Sequence, residues 1–505
     1  MTPVRDLERM LRGRPAEEHM ARWRTLLDWL ILDQGSGRPL YRQIYEQIRN
    51  AVISRRLTAG TSVPASRALA SSLGVSRITV LQAYDQLIAE GFLVSRRGSG
   101  TRVAALFDDE TGRREALAGS VFAKRADAAA PPTIQLPTSP PASPAFRPGI
   151  PAFDTFPRLL WSRLLHRHGQ RVDRGLMDYA HLGGYAPLRQ AIAGYLVASR
   201  GVTCVPEQVV VVSSTRAATA LVCGVLLSRG DRVVIEDPGY LTARRCLENA
   251  GMRLAPVPVD GDGLRVREIA HRAPEARLAY LTPSHQWPTG ATLTLERRLE
   301  LLAWAHRQQA WVVEDDYDSE FRFSEAPLTA LHGLPGGERV LFLGTFAKVL
   351  APSIRCAYLV VPNEMVRAFG KLAFIGGYEP CLHVQAALSD FIDQGHLARH
   401  IQQMRKVYRG RRERVVQGFG DLFGDRCRFR PAKGGLALVA DLADDLPAGE
   451  IERRADEHAV SAWSVADYYV EAEPPNALHL GFAAVPEAEV APALQRLRAA
   501  IADLL

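Results

Sequence analysis

Two patterns of hydrophobic and polar positions follow one another along this chain of 505 residues. Within residues 38–103, apolar positions recur at helical spacing in three short segments, and a short β-hairpin pattern comes after them. From residue 151 onward, β-branched runs alternate with longer helical segments, and the runs are 209–212, 233–236, 277–281, 311–314, 340–343 and 357–361. Because strands separated by helices are typical of βαβ units, we predict that residues 151–505 form an α/β domain with a mainly parallel sheet.

The segments outside these two patterns differ in composition. Residues 104–150 are rich in alanine and proline, so we predict an extended linker there. Residues 1–37 form a charged N-terminal extension to which we assign no function. No apolar run is long enough to cross a membrane, and the N-terminus lacks the apolar core of a signal peptide. Six scattered cysteines favour free thiols, so we expect a cytoplasmic protein without a metal site.

The helical segments of residues 38–103 predict a helix-turn-helix. A first helix covers about 40–54, and a second covers 66–73 and ends at Gly74. A third helix starts after Ser76, which is suited to cap a helix N-terminus, and runs to about residue 90. We expect four apolar residues of the third helix to be core residues: Ile78, Val80, Tyr84 and Leu87.

Residues 91–103 predict the wing that completes a winged-helix domain. The residues 91–94 are mainly apolar, and the stretch 95–103 contains serine, glycine and arginine, which indicates a β-hairpin with a flexible tip. Arginine suits such a tip because its planar guanidinium makes paired hydrogen bonds with phosphates and with guanine edges.

The distribution of charge favours nucleic-acid binding by this block. The chain carries a net charge of +7, and residues 38–103 contain ten arginines and three acidic residues, a balance of +7. The remaining 52 basic and 52 acidic residues therefore cancel. A basic block on an otherwise neutral protein is the electrostatic footprint of a nucleic-acid-binding domain. The alternative is a solvated basic face, which the helix-turn-helix pattern disfavours.

The block resembles the GntR family of winged-helix regulators. The stretches PLYRQIYEQIRNAVISRRL, VPASRALASSLGVSRITVLQAYDQLIAEGFL and RRGSGTRV carry the resemblance. It implies that the third helix enters the major groove of double-stranded DNA by its N-terminal end. From the pattern and the resemblance together, we expect DNA contacts from Arg67, Ser76, Arg77, Thr79, Arg96, Arg97, Gly98, Gly100 and Thr101.

A lysine follows one of the predicted strands of the large domain. In GTFAKVLAPSIR, Lys348 lies in a loop beside small and hydroxyl residues, after the strand at 340–343. Its amine can form a Schiff base with an aldehyde cofactor. Thr345 and Arg355 are spaced to bind a phosphate group. Taken alone, a lysine in a loop is more often a surface residue, so the assignment of Lys348 to a cofactor site depends on the neighbouring motifs.

Acidic residues follow the strand at 311–314. In WVVEDDYDSEF, Asp315 is a candidate partner for a protonated pyridine nitrogen, and Tyr317 is a candidate to reach the oxygen on the same ring. The alternatives are an acidic strand end without a ligand or a magnesium site.

Two further motifs leave strands toward the same side of the predicted sheet. His285 and Gln286 follow the strand at 277–281, and Ser214 and Thr215 open a helix whose N-terminus favours phosphate. Tyr240, in EDPGY, offers an aromatic face to a pyridine ring. Ligands bind at the carboxyl ends of parallel strands, so these residues are predicted to share one site.

Together these clusters resemble a fold-type I aminotransferase. With the GntR-like N-terminus, the motifs TPSHQWPTG, EDDYDSEF and GTFAKVLAPSIR are similar to the MocR/GabR family of bacterial regulators. The resemblance implies pyridoxal 5'-phosphate (PLP) held as an aldimine on Lys348, and a head-to-tail homodimer. It also implies that Tyr179 reaches the phosphate in the partner subunit.

Four positions in three motifs depart from the family pattern. Ala347 stands where the family usually has serine, and Ser214 and Arg216 stand where glycine and glutamine are common. His479 stands where aminotransferases often have the arginine that binds a substrate carboxylate. A neutral histidine binds anions more weakly, so His479 is a candidate effector-binding residue with altered preference.

The leading hypothesis is a transcription regulator that senses an amine, an amino acid or PLP itself through Lys348, and that is nucleoid-associated when bound to DNA. The second hypothesis is a working aminotransferase that the N-terminal domain places on DNA. The third is a regulator whose large domain has lost PLP and serves only for dimerisation.

Overall fold

A computed structural model describes residues 29–33, 35–96, 100–105, 145–170, 173–179, 182–323 and 328–505, with only the backbone of Arg96. The described residues form two compact units, one within residues 1–134 and one within residues 135–505. The sequence-predicted DNA contacts Arg97 and Gly98 lie outside the described residues, as do residues 1–28 of the extension and 106–144 of the predicted linker.

The N-terminal unit consists of three helices and a hairpin. They are α1 (Leu40–Ile53), α2 (Ser66–Leu73), α3 (Arg77–Ala89), β1 (Leu93–Arg96) and β2 (Gly100–Val103). The two strands pair antiparallel, with Leu93 opposite Val103. One side of each helix contributes to a common core through Ile44, Leu69 and Val80. The predicted winged helix-turn-helix is confirmed.

The turn between α2 and α3 follows from two residues. Gly74 has a φ of 64°, in the left-handed region that glycine adopts without steric cost, and it ends α2. Ser76 then caps α3, because its Oγ accepts a hydrogen bond from the backbone N–H of Thr79 at 3.1 Å. The predicted bounds of both helices at this turn are confirmed.

One expectation for α3 is wrong. Val80, Tyr84 and Leu87 are buried, but Ile78 has 68% of its surface exposed. Two residues along a helix correspond to about 200° of rotation, so Ile78 lies on the side opposite Val80. Ile78 is therefore beside Arg77 on the solvent-exposed first turn and does not belong to the core.

The large unit contains two sheets and twelve α-helices among its described residues. The strands are β3 (Val209–Val212), β4 (Arg232–Asp237), β5 (Arg253–Asp260), β6 (Gly263–Leu264), β7 (Leu278–Leu281), β8 (Trp311–Asp316), β9 (Val340–Thr345), β10 (Ala357–Val360), β11 (Cys427–Phe429), β12 (Ala437–Leu442), β13 (Trp463–Ser464) and β14 (Ala477–Gly481). The helices are α4 (Arg158–Gly169), α5 (Arg174–Met177), α6 (Ala186–Arg200), α7 (Thr215–Leu226), α8 (Leu241–Asn249), α9 (Ile269–Arg272), α10 (Leu295–Gln308), α11 (Val366–Ile375), α12 (Leu382–Asp393), α13 (His396–Phe423), α14 (Ala448–Glu457) and α15 (Glu487–Ala500).

The larger sheet has eight strands in the order β3-β10-β9-β8-β7-β4-β5-β6. The run from β9 to β5 is parallel, and β10 and β6 pair antiparallel with their neighbours. Every residue of β3 and β9 is buried, as expected for strands covered by helices on both faces. The predicted mainly parallel sheet is confirmed.

A second sheet, which the strand pattern did not predict, lies near the C-terminus. It is antiparallel, with the order β11-β12-β14-β13. Its apolar residues share one core with α13, α14 and α15. Among the residues described, no helix combines the length and the apolar character that a membrane span needs.

Residues 145–150, the end of the predicted linker, pack in the core of the large unit. Phe146 is fully buried and contacts the ring of Phe419 at a centroid distance of 5.3 Å. Its carbonyl accepts a hydrogen bond of 2.7 Å from the backbone N–H of Gly481, at the end of β14. A proline-rich composition does not reveal this contact, because it depends on a strand more than 300 residues later in the chain.

Candidate cofactor pocket and DNA-binding surface

A cavity of about 370 Å³ lies at the carboxyl ends of the parallel strands. Strands β8 and β9 end at this cavity, and the loops after β3 and β4 complete its wall. Eight of the residues predicted from the sequence line it: Ser214, Thr215, Tyr240, Asp315, Tyr317, Thr345, Lys348 and Arg355. The topology brings them together because carboxyl ends of parallel strands share one edge of the sheet.

Lys348 is a half-buried residue in the wall of the cavity. Its Nζ donates a hydrogen bond of 2.6 Å to the carbonyl of Gly149. Burial lowers the pKa of Lys348, and the nearby carboxylates of Asp318 and Asp315 oppose this shift only in part. A lowered pKa increases the share of neutral amine, which is the nucleophilic form.

Asp315 has one carboxylate oxygen that is satisfied and one that is not. Its Oδ2 accepts a hydrogen bond of 2.5 Å from the Tyr280 hydroxyl. Its Oδ1 is buried and has no hydrogen-bond partner within the described part of the chain. Burial raises the pKa of Asp315 to about 7. Since unsatisfied buried oxygens are costly, this geometry favours a ligand that donates to Oδ1.

The opposite wall of the cavity is suited to an anion. Ser214 caps α7, where its Oγ accepts a hydrogen bond of 3.1 Å from the backbone N–H of Ala217. Thr215 and Arg216 follow in the first turn of α7, and Arg355 lies on the same cavity. A helix N-terminus flanked by two guanidinium groups is a favourable place for a phosphate.

His285 and Gln286 lie behind the cavity and do not line it. The Tyr317 hydroxyl lies 3.0 Å from His285 Nδ1, which is also 3.0 Å from Asp318. Gln286 Nε2 donates to the carbonyls of Pro238 and Trp287. Within the described structure, His285 therefore positions Tyr317, and Gln286 holds the neighbouring loops together; direct cofactor contact by either residue stays a prediction.

His479 is also separated from the cavity. It lies on β14 with 2% of its surface exposed, and its Nδ1 lies 3.1 Å from the Tyr468 hydroxyl. The ring of Trp287, which does line the cavity, packs edge-to-face against it at 4.6 Å. Burial lowers the pKa of His479 to about 3, so the ring is neutral at physiological pH.

Replacing His479 by glutamine is expected to make the large unit less sensitive to acid. A histidine ordinarily titrates near 6.5, so between pH 6.5 and about 3 the unfolded chain binds a proton that the native chain does not. The contribution of the neutral His479 ring to the free energy of unfolding is therefore fully present above pH 6.5, and it decreases as pH falls toward 3. The wild type should lose roughly 1.4 kcal/mol more per pH unit than H479Q between pH 6 and 4. Urea unfolding at several pH values measures this difference, and parallel curves would contradict it.

The sequence missed several residues that line the cavity. Trp287 lies inside the quoted TPSHQWPTG motif, but nothing in the motif indicated which of its side chains faces the cavity. Arg147 and Ile150 were assigned to the linker, and Thr242 and Pro352 carried no signal. Their positions depend on how loops fold against the sheet edge.

Tyr179 lies on the surface of the large unit. It is 81% exposed and contacts Phe374 edge-to-face at 6.1 Å. Three other exposed apolar residues lie close in sequence to this pair: Met177 and Leu182 near Tyr179, and Ile375 next to Phe374. Tyr179 does not line the cavity of its own subunit, so any role toward a phosphate requires a second subunit.

The predicted DNA contacts of the N-terminal unit lie on its exposed side. Arg67, Ser76 and Arg77 are exposed, and the Nε of Arg77 donates to Ser66 Oγ at 3.4 Å. Thr79 is half-buried beside them, and Gly100 and Thr101 open β2. The first turn of α3 thus presents Arg77 and Ile78 to solvent, which is the arrangement that a major-groove helix needs.

Comparisons with known proteins agree with this division of the chain. Residues 40–103 match the family described as "Bacterial regulatory proteins, gntR family", and residues 158–497 match "Aminotransferase class I and II". The probable rhizopine catabolism regulatory protein MocR of Rhizobium meliloti is 38% identical over 94% of this chain and 96% of its own length. The pyridoxine biosynthesis transcriptional regulator PdxR of Corynebacterium glutamicum is 34% identical over 80% and 84%. The α-aminoadipate aminotransferase LysN of Thermus thermophilus has a TM-score of 0.65 and 28% identity, covering 71% of this chain and 92% of that one.

Proposed function

Because this chain belongs to the MocR/GabR family of regulators, which join a gntR-type DNA-binding domain to an aminotransferase-like domain, we propose that it is a PLP-dependent sensor of a small amine or amino acid. The observation that carries the proposal is the unpartnered Oδ1 of Asp315 in the cavity that also holds Lys348. A large domain that serves only for dimerisation has no need of a cavity that combines a lysine amine with an unsatisfied carboxylate.

The residues of the cavity fit PLP at each of its polar ends. The Lys348 amine suits the aldehyde, and the free oxygen of Asp315 suits a protonated pyridine nitrogen. The N-terminus of α7, together with Arg355, suits the phosphate. At Lys348, bound PLP would supply an electrophilic carbon open to attack by an amine.

The surrounding side chains favour the reactive form of the Lys348 amine and would position the cofactor. Burial lowers the pKa of Lys348, so a larger share of its amine is in the neutral, nucleophilic form than in a surface lysine. Tyr317, whose hydroxyl contacts the ring and the carbonyl of His285, would bind the ring oxygen of the cofactor. Tyr240 packs against Trp287 and offers its ring to one face of the pyridine.

The regulatory step requires two states of a dimer. An effector changes DNA binding only if it binds one state better than the other. We propose a head-to-tail homodimer in which the exposed Tyr179 reaches the phosphate site of the partner subunit. Residues 104–144 would transmit the change to the wings, and the operator would contain two half-sites.

Two variants of the signal are compatible with the cavity. In the first, an amine or amino acid is the effector. In the second, PLP itself is the signal, which the name of the pyridoxine biosynthesis regulator supports by analogy. In both, the protein acts in the cytoplasm, bound to DNA.

The second candidate function is a working aminotransferase placed on DNA. The complete set of Lys348, Asp315 and Tyr317 favours it. His479 opposes it, since a neutral, shielded ring replaces the cation that would hold a substrate carboxylate.

One experiment separates these functions. The PLP-loaded full chain is incubated with a panel of amino acids and amines, together with an excess of a 2-oxo acid as the amino-group acceptor. Two quantities are measured: the keto acid or aldehyde formed per subunit from the amino donor, and the affinity for an operator selected from a random-sequence duplex pool. A regulator should change operator affinity with at most about one product per subunit. Many products per subunit with constant operator affinity would establish the aminotransferase instead.

A further inference from the structure

A further cation lies at the cavity in residues 145–150, ahead of the first helix of the large unit. Arg147 lines the cavity together with Lys348 and Ile150, and its positive charge adds to the burial that lowers the pKa of Lys348. Its guanidinium lies over the ring of Trp463, 5.9 Å from the centroid. Among the described residues no carboxylate pairs with Arg147. A guanidinium in a cavity wall without an anionic partner is suited to bind an anion that enters the cavity.

The backbone on either side of Arg147 is held firmly. On one side, the Phe146 carbonyl accepts the hydrogen bond from Gly481, and a Cβ added at Gly481 would clash with the Arg147 carbonyl oxygen. On the other side, the Gly149 carbonyl accepts the hydrogen bond from Lys348. The segment therefore spans the short distance between β14 and the reactive amine, and it sets the position of the guanidinium relative to both.

Arg147 also lies close to the place where a carboxylate-binding cation is missing. Trp463, over which it stacks, is directly opposite His479 in the pairing of β13 with β14. His479 cannot serve, because it is buried behind Trp287 and does not line the cavity. The phosphate already has Arg216, Arg355 and the N-terminus of α7. Of the three arginines that line the cavity, Arg147 is thus the one available to a second anionic group.

We propose that Arg147 binds the anionic group of the effector, so that the effector is a primary amine that also carries a carboxylate rather than a simple amine. This inference rests on the proposed sensing function and makes it more specific. It assigns to residues 145–150 the role of determining which amines the large domain accepts.

The test compares amino acids with amines of the same skeleton that lack the carboxylate: L-alanine with ethylamine, L-phenylalanine with 2-phenylethylamine, and 4-aminobutyrate with propylamine. Dissociation constants are measured from the change in the visible spectrum of the PLP-loaded full chain. For at least one pair, the wild type should bind the acid at least ten-fold more tightly. In Arg147→Gln, the acid should bind about ten-fold more weakly, while the affinity for the matched amine changes less than two-fold. Arg147→Lys should keep part of the preference.

Arg367→Gln is the matched control, because it removes the same charge from an exposed position of α11. It should leave both affinities unchanged. An unaltered acid preference in Arg147→Gln would overturn the proposal. A loss of PLP binding in Arg147→Gln would also overturn it, by assigning Arg147 to the phosphate. If no compound alters the spectrum of a PLP-loaded wild type, amine sensing itself fails, and the specificity proposal fails with it.

Discussion

Replacement of Lys348 by alanine is expected to abolish covalent attachment of PLP and the visible absorbance that accompanies it. Among the residues that the structure describes, Lys348 is the only lysine that lines the cavity, and its lowered pKa favours the reactive form. Borohydride reduction of the PLP-loaded wild type should fix the cofactor on the peptide that contains Lys348. The reduced variant should carry no adduct by mass spectrometry.

The small number of lysines in the chain makes the site of PLP attachment easy to assign. There are only five lysines, at positions 124, 348, 371, 406 and 433. Lys371→Ala is the matched control, since Lys371 is exposed on α11, and it should retain the full adduct at Lys348. An adduct that persists in Lys348→Ala, or one spread over the exposed lysines of the wild type, would refute the assignment. Urea unfolding of both variants checks that they remain folded.

Replacement of Arg77 by alanine is expected to weaken specific DNA binding about 5- to 150-fold, and to relax the preference at one base pair. Arg77 begins α3 beside the Ser76 cap, and its side chain is exposed. An arginine paired with a guanine edge contributes roughly 1–3 kcal/mol of discrimination. Affinity for the selected operator and for a random duplex of the same length, at fixed salt concentration, measures both effects.

Arg42→Ala provides the comparison for charge alone. Arg42 lies on α1 and pairs with Glu46 at 3.2 Å, and its removal lowers the net charge by the same amount. It should weaken binding to operator and random duplex by a similar, small factor. If Arg77→Ala behaves in the same way, α3 does not read base edges through Arg77.

Much of the fold is predictable from local chemistry. Gly74 and Ser76 define the turn between α2 and α3, because one suits a left-handed conformation and the other a helix cap. The runs of β-branched residues predicted six of the eight strands of the larger sheet to within two residues, but they missed β5 and β6 at one edge. Once those strands are parallel, Asp315 and Lys348 must lie at the same edge, so the sequence also predicted the main cluster of the cavity.

The remaining features depend on contacts distant in sequence. Arg147 was assigned to a linker because prolines surround it, and only the pairing of Phe146 with Gly481 brings it to the cavity. Whether His285 faces the cavity or stands behind Tyr317 is decided by loop conformation, which no local pattern encodes. The small antiparallel sheet joins short strands that the periodicity of a single segment does not reveal.

The most direct test of the central claim is the operator affinity of the PLP-loaded full chain, measured with and without a saturating amino acid that alters its spectrum. Wild type and Lys348→Ala are compared side by side, since the claim is that chemistry at this lysine controls DNA binding. We expect a change of about five-fold or more in the wild type and none in the variant. A full change in the variant, or no change in the wild type, would contradict it.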